Sequence, residues 1–470
     1  MKAAPAEARR VPVAIIGGGF SGAAVAWHLL RLHPALERVL VIEPRREVGR
    51  GLAYSAADPS HRINVPATRM SLLPDQPSHF NDWLDASGTL DADPAARRSG
   101  GRNFPARAVF GTYVAAQIAA LGPRVEHLVA AAEAVEARAD GFLIRASDGS
   151  AVLAGIVVLA VAHAPPSPPS TLARALAGHP RFVADPWRDG ALVAVRPEDR
   201  VLIVGTGLTM ADIVASLERL GHRGAIVALS RRGLRSRGHP AELHDPFGDF
   251  ATAPARRAGE LVRRIRTSVR QAEQAGMSWH CVLDQVRLQG GIIWNALPLA
   301  ERARVLRHLR PFWDVHRFRI APQVEEVLDR RMAAGTLHLR AGSLREVTVE
   351  DGTIHVTLRE RRNGREVREA FDAVVTATGP AHGQVFAGNP VLAALAGAGL
   401  ARPDPLGLGI EVAADGRAIG AAGVPTPGLY VAGPLARGTV GELMGLPDVT
   451  NYAIRIAQTV AGRLGADAAS

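Results

Sequence analysis

The sequence predicts an α/β chain in which one parallel-sheet unit occurs twice. Each copy is followed by a β-meander, and the second is interrupted by a helical insertion. Three observations predict this. Val13-Ala-Ile-Ile runs into Gly17-Gly-Gly19-Phe-Ser-Gly22 and then into apolar residues at helical spacing (Val25, Leu29, Leu32). Arg200-Val-Leu-Ile-Val runs into Gly205-Thr-Gly207 and Leu208-Thr-Met-Ala-Asp212 in the same manner. In both halves turn-separated strands and a buried apolar strand follow, so the order of elements repeats.

In the first copy the four apolar residues are too few for a helix and read as a buried strand. Gly17 permits the tight turn, Gly19 lets main chain approach a pyrophosphate, and Gly22 lets the helix lie close on the strand. The helix start, with Phe20 and Ser21 in its first turn, offers free N–H groups and a partial positive charge. A second strand, Val39-Leu-Val-Ile-Glu43, ends in an acid that suits the hydroxyls of an adenosine ribose. The first unit is therefore expected to bind a dinucleotide.

From Arg45 to Trp83 the chain reads as a long loop whose apolar content (Tyr54, Val65, Met70, Phe80, Trp83, Leu84) argues for order. Phe110–Leu121 reads as a helix. The stretch from Val125 to Ala162 reads as strands, ending in Ile156-Val-Val-Leu-Ala160.

In the second copy Ala225-Ile-Val-Ala-Leu-Ser230 is the second strand. Counting 26 residues from Gly17 reaches Glu43, and 26 from Gly205 reaches Arg231. The same place thus carries opposite charges. Ser230, Arg231 and Arg232 are expected to hold the 2′-phosphate of NADPH, which Glu43 would repel. Gly205, Thr206 and Gly207 form the matching turn.

Leu337-His-Leu-Arg, Leu344 to Val349 and Ile354-His-Val-Thr-Leu read as separate strands, and Ala373-Val-Val-Thr-Ala-Thr-Gly379 as the buried one. A strand at Gly428–Gly433, followed by Pro434, precedes a closing helix from about Val449 to Leu464. The expected domains are a disordered tail over 1–10, a discontinuous first domain over 11–195 and 371–470, and a second over 196–370. The second holds a helical insertion at 239–335.

The chain has 470 residues, a net charge of +10 and one cysteine, Cys281. A single cysteine excludes a disulfide framework and an intrachain redox pair. Lys2 is the only lysine, which excludes a Schiff-base lysine in the folded body. The positive charge is almost all arginine and contains no block of five basic residues, so no nucleic-acid partner is expected. No apolar run reaches the length of a membrane span, and a cytoplasmic protein is expected. His239-Pro-Ala-Glu-Leu-His244 lacks the spacing of a helical zinc site.

The paired glycine turns, the Ala-Thr-Gly strand and the terminal Val-Ala-Gly-Pro strand resemble flavoproteins with two Rossmann-like dinucleotide-binding domains. Gly51-Leu-Ala-Tyr-Ser, His61-Arg-Ile-Asn-Val-Pro-Ala-Thr-Arg-Met-Ser71, His79-Phe-Asn-Asp-Trp-Leu84 and Leu229-Ser-Arg-Arg-Gly233 are more specific. They resemble bacterial FAD/NAD(P)-binding oxidoreductases, distantly similar to the ornithine and lysine N-monooxygenases.

The resemblance implies FAD on Gly17, Gly19, Gly22 and Glu43, and NAD(P)H on Gly205 and Gly207. It places the loop carrying Asn64, Arg69, Met70 and Ser71 beside the flavin, and Gly433 and Pro434 near it. The start of the closing helix, around Val449, is expected to stabilise negative charge on a reduced flavin. Met210 replaces a third glycine, Ala160-Val-Ala-His163 replaces an Ala-Thr-Gly, and Pro434 stands where an Asp is usual.

The expected activity is an FAD-dependent NADPH oxidoreductase of monooxygenase type, with oxygen as co-substrate and a small molecule, an amine by the resemblance, as substrate. The alternatives are an NAD(P)H:acceptor reductase or oxidase, and a redox-responsive FAD-binding module. No oligomeric state is predicted.

Overall fold

The computed structural model describes residues 8–162, 166–379 and 385–469. Two compact units emerge. One comprises Met1–Ser55, Pro66–Ala164 and His382–Ser470, and the other Ala56–Val65 and Pro165–Ala381. Both are Rossmann-like.

The first unit is built on strands β1 (Arg9–Ile16), β2 (Val39–Ile42), β3 (Val125–Leu128), β4 (Ala132–Arg138), β5 (Gly141–Ala146) and β6 (Ala151–Leu159). The second has β7 (Phe182–Val183), β8 (Val201–Val204), β9 (Ile226–Ser230), β10 (Leu337–Glu350), β11 (Thr353–Glu360), β12 (Glu366–Phe371) and β13 (Ala373–Thr376). The chain then returns to the first unit with β14 (Arg417–Ile419) and β15 (Pro425–Val431).

The first sheet has the order β14-β15-β6-β1-β2-β3, with the β4–β5 hairpin carried on β6. Around β1 all pairing is parallel: Ala14 faces Leu40 on one side and Val157 on the other. Such strands are buried on both faces, which is why they read as unbroken apolar runs. The helix α1 (Phe20–Leu32) is buried almost all round and packs on the closing helix Leu446–Ala469. Arg9 and Arg10 pair with Val152 and Leu153, so the expected tail ends at least two residues earlier; residues 1–7 lie outside the described residues. Val125–Leu128 joins the parallel sheet beside β2, whereas β4 and β5 form the meander.

The second sheet has the order β12-β11-β10-β9-β8-β13-β7. Its strands from β7 to β10 pair parallel, and β10, β11 and β12 antiparallel. The two strands expected at Leu337 and Leu344 are one. Residues 337–341 of β10 pair with β9, and those from Gly342 onward pair with β11. Gly342 makes this change of partner possible, because a Cβ there would lie 2.7 Å from the Arg359 carbonyl oxygen.

The unit boundaries fall at 164/165 and 381/382 rather than near 195 and 371. The reason is pairing: β13 lies between β8 and β7, which ties residues 182–183 and 373–376 to the second sheet. Residues 56–65 also belong to the second unit. Asp58 accepts two bonds from Arg219 at 2.9 and 3.0 Å, the His61 Nε2 lies 2.9 Å from the Ser216 hydroxyl, and His239 bonds the Asn64 carbonyl at 3.1 Å. Burial works against the charge of Asp58, yet bonds from Arg219, Ser60 and Ser216 outweigh it and hold the carboxyl well below the usual range.

The insertion is helical from Ala258 to Ala333, with its own core around Phe250, Leu261, Cys281, Val282 and Ile293. The His239–His244 stretch that precedes it is irregular. Among the described residues no helix is long and apolar enough to cross a membrane.

Candidate functional site

The turn after β1 is closed by its own main chain. Gly17 has φ +102°, and its N–H donates to the Ile42 carbonyl at 2.9 Å. A Cβ on Gly17 would lie 2.5 Å from the Ala160 carbonyl oxygen, so the close backbone approach survives the replacement of Ala-Thr-Gly. Of that replaced stretch, His163 lies outside the described residues. A Cβ on Gly22 would overlap the Gly17 carbonyl oxygen, which is what brings α1 onto its strand.

Gly19 is the N-cap of α1. No side chain caps the helix and no acid stands in its first turn. The amide of Ala23 is taken by Gly19, which leaves those of Phe20, Ser21 and Gly22 without helical partners. Free amides at a helix start make a cradle of the kind that suits an anion. Phe20 also anchors the helix start in an aromatic cluster, 5.7 Å from Phe110 and 6.5 Å from Tyr54. Trp83 joins the same cluster through Phe80 and Tyr113, so Tyr54 and Trp83 pack.

Glu43 is buried at 4 % exposure at the end of β2. Its Oε2 accepts the Gly18 amide at 2.8 Å, and Oε1 accepts both the amide and the guanidinium of Arg45 at 3.1 and 3.0 Å. Oε2 therefore keeps one acceptor position open, while both of those on Oε1 are taken by Arg45. Gly18, Arg45 and Gly49, whose N–H bonds the Gly18 carbonyl at 2.7 Å, surround Glu43 and the turn and were not among the expected site residues. Gly51, which opens one of the quoted motifs, lies against the same turn: its Cβ would lie 2.8 Å from the Gly19 Cα. The spacing of Gly49 and Gly51 just past the acid was the available signal.

The four loop residues expected beside a flavin divide. Asn64 belongs to the second unit, whereas Arg69, Met70 and Ser71 belong to the first. Met70 is core at 3 % exposure. The Ser71 hydroxyl accepts the Leu73 amide at 2.9 Å, so it fastens the loop. Arg69 alone of the three is exposed. His79 is bonded to the Tyr113 hydroxyl at 2.7 Å.

Gly433 has φ +82° and passes directly over Ser21, where a Cβ would strike the serine side chain. Pro434 begins a short 3-10 turn and offers no N–H. The closing helix begins at Leu446, three residues before the expected start. The Val449 amide is already bonded to the Gly445 carbonyl at 3.0 Å, so the first-turn amide without a helical partner is that of Leu446. Val449 is thus corrected as a donor.

The second unit repeats the cradle. Gly205 has φ +131° and a Cβ there would overlap the Ala377 carbonyl oxygen, the counterpart of Ala160. The helix Leu208–Arg219 starts at Gly207 with no side-chain cap and no acid in its first turn. Nothing lies within 4 Å of where a Gly207 Cβ would be, so the face above the turn is open. Met210 is fully buried. The Thr206 side chain is 5 % exposed and its hydroxyl lies 2.8 Å from that of Ser230, with the Leu234 carbonyl also in reach. Thr206 therefore braces the turn, and only its main chain is left for a ligand. Ser230 also accepts the Gly233 amide at 2.9 Å.

The two arginines differ. Arg231 is exposed and its guanidinium makes no bond among the described residues. Arg232 lies over the Phe312 ring at 4.7 Å and reaches the His308 carbonyl at 3.4 Å, so it is committed to the insertion.

Residues 14–164 match a family model described as FAD-NAD(P)-binding. No curated protein matches the chain in sequence. Among solved structures, the Kutzneria sp. 744 ornithine N-hydroxylase KtzI is similar with a TM-score of 0.64 at 17% identity, over 96% of this chain and 99% of that one. The ornithine hydroxylase PvdA of Pseudomonas aeruginosa gives 0.62 at 16%, over 96% and 99%. The L-lysine 6-monooxygenase of Pseudomonas syringae gives 0.62 at 17%, over 97% and 99%. At such identity the likeness is one of fold. Residues 14–164 thus match an FAD-NAD(P)-binding domain, within a chain whose two Rossmann-like units share the fold of these structures.

Proposed function

We propose that the protein is a cytoplasmic FAD-dependent NADPH oxidoreductase of monooxygenase type, with oxygen as co-substrate and a small amine as substrate. One observation carries the cofactor assignment: two uncapped helix starts follow two glycine turns of the same build, and the residue just past the strand beside each is Glu43 in one unit and Arg231 in the other. An adenosine with free ribose hydroxyls suits the first, and one with a 2′-phosphate suits the second.

The residues fit both groups. In the first unit the amides of Phe20, Ser21 and Gly22 would hold the FAD pyrophosphate, and Glu43 would accept a ribose hydroxyl. In the second the amides of Leu208 and Thr209 would hold the NADPH pyrophosphate, with Gly207 leaving room for it. When bound, FAD supplies hydride acceptance and oxygen activation. The Leu446 amide, at the start of a long helix, suits a developing negative charge.

The amine is supported by the printed activities of similar folds, an ornithine hydroxylase, a lysine 6-monooxygenase and a cadaverine monooxygenase. The test is consumption of NADPH and oxygen by the purified yellow protein against a panel of amino acids and diamines. Amine-stimulated, equimolar consumption with a hydroxylamine product is expected. NADPH oxidation that no amine stimulates, with all oxygen recovered as peroxide, would make it an oxidase.

A further inference from the structure

The second unit holds a basic residue at the end of β9 that no linear motif reveals. Ser230 is the last residue of β9, and it pairs in parallel with Ala341 of β10. The Ala341 carbonyl accepts the amide of Arg361 at 2.9 Å. Arg361 stands just past β11, in the turn to β12, and is thereby pinned two strands from Ser230, with β10 between. Its guanidinium reaches back to the Arg231 carbonyl at 3.3 Å. That carbonyl is the only group it bonds among the described residues.

The charge around this edge is uncompensated. Four arginines of the unit pair with acids: Arg219 with Asp58, Arg235 with Asp329, Arg330 with Glu218 and Arg340 with Glu369. Arg231 and Arg361 have no acid, and both are exposed. The Arg361 guanidinium is held on the main chain of Arg231, so two cationic residues meet just past the carboxyl end of a parallel strand, where an anion would offset their charge. Gly233, at φ +62°, keeps the turn tight there, since its Cβ would lie 3.0 Å from the Ala341 amide nitrogen.

We infer that Arg361 is a specificity-determining residue that binds the 2′-phosphate of NADPH together with Arg231, while Arg232 does not. The inference rests on the cofactor reading proposed above. A phosphate monoester carries close to two negative charges at neutral pH and presents three acceptor oxygens, so one guanidinium leaves it half neutralised. Arg361 supplies the second charge. Its main chain is fixed by Ala341 and its side chain is held by Arg231, so little freedom is lost on binding.

The test is direct binding to the purified, FAD-loaded protein, by calorimetry, of NADP⁺, NAD⁺, adenosine 2′,5′-bisphosphate and 5′-AMP. Wild type is expected to prefer both 2′-phosphorylated ligands. Arg361→Ala should weaken these two by about tenfold and leave NAD⁺ and 5′-AMP unchanged. Arg361→Lys, which keeps a charge without the planar fork, should fall between. Arg232→Ala should bind all four like wild type. The side chain of Arg361 is exposed, and thermal midpoints of the variants check that the fold is kept. If Arg361→Ala binds NADP⁺ like wild type while Arg231→Ala does not, the role of Arg361 is overturned and the cofactor reading stands. If wild type binds no nicotinamide nucleotide, or does not prefer NADP⁺, both are overturned.

Discussion

A Cβ on Gly22 would overlap the carbonyl oxygen of Gly17, while one on Gly207 would meet nothing within 4 Å. These two glycines hold different roles in equivalent turns. Gly22 is needed by the protein itself, because α1 lies against its own turn. Gly207 meets no such demand from its own fold.

Gly22→Ala should therefore destabilise the protein even without ligand, by about 2 kcal/mol or more, as expected of forced backbone overlap. Gly207→Ala, at φ −86°, should fold with a thermal midpoint close to wild type yet bind NADP⁺ at least tenfold more weakly. Calorimetry of unfolding and of binding checks both. A Gly207→Ala protein that binds like wild type would show that no pyrophosphate approaches this turn.

The thiol should be dispensable. Cys281 is 2 % exposed in the core of the insertion, and its S–H donates to the Ser278 carbonyl at 3.0 Å. Burial pushes its pKa up, which keeps it a thiol. Cys281→Ala should cost roughly 1 kcal/mol of stability and leave NADPH oxidation within about twofold of wild type. Loss of turnover in a folded, FAD-loaded variant would restore thiol chemistry to consideration.

The glycine turns, both central sheets and the charge reversal between Glu43 and Arg231 are legible in the sequence because they are local. Each is set by a short apolar run, a turn and one residue at a fixed distance. What escapes is set by distant pairing. Arg361 reaches β9 only because β10 changes partners at Gly342, and residues 56–65 join the second unit through Asp58, His61 and Arg219, far apart in the chain. The closing helix begins early because Pro447 is accommodated in its first turn, where its missing N–H costs nothing.

Arg231 and Arg232 are neighbours with separable roles. Arg231 is unpartnered, so Arg231→Ala should raise the Michaelis constant for NADPH about tenfold with NADH little changed. Arg232 stacks on Phe312, an exposed cation–π contact of about 0.5–1 kcal/mol, so Arg232→Ala should lower stability by that much and leave NADPH use intact. Steady-state kinetics with both nucleotides, beside thermal unfolding, separates the two. Equal loss with NADPH and NADH in Arg231→Ala would mean that the residue does not read the phosphate.

The insertion should loosen in mild acid through His280. Its ring stacks on Trp279 at 3.7 Å, its Nδ1 lies 2.6 Å from the Ser278 hydroxyl and its Nε2 lies 3.2 Å from the Gly238 carbonyl. Nε2 therefore carries the proton and Nδ1 accepts from the serine, which satisfies the neutral ring on both sides. Burial lowers its pKa to about 4 from the ordinary 6.5; the Gly238 carbonyl and Asp284 oppose this, while Arg319 and His316 reinforce it. Because the folded value is the lower one, the unfolded chain takes up a proton first as the pH falls. Stability is thus full above pH 7 and drains away between about 6.5 and 4. From pH 7 to pH 5 the loss at this one site is on the order of 1–2 kcal/mol. His28 and His222 are also lowered by burial and act in the same sense, so wild type alone cannot isolate the effect. His280→Gln keeps a donor for the Gly238 carbonyl and has no proton to gain. Its stability, measured by urea unfolding at both pH values, should be lower than wild type at pH 7 but fall less steeply toward pH 5. Parallel pH profiles for the two proteins would show that His280 is not held neutral by the fold.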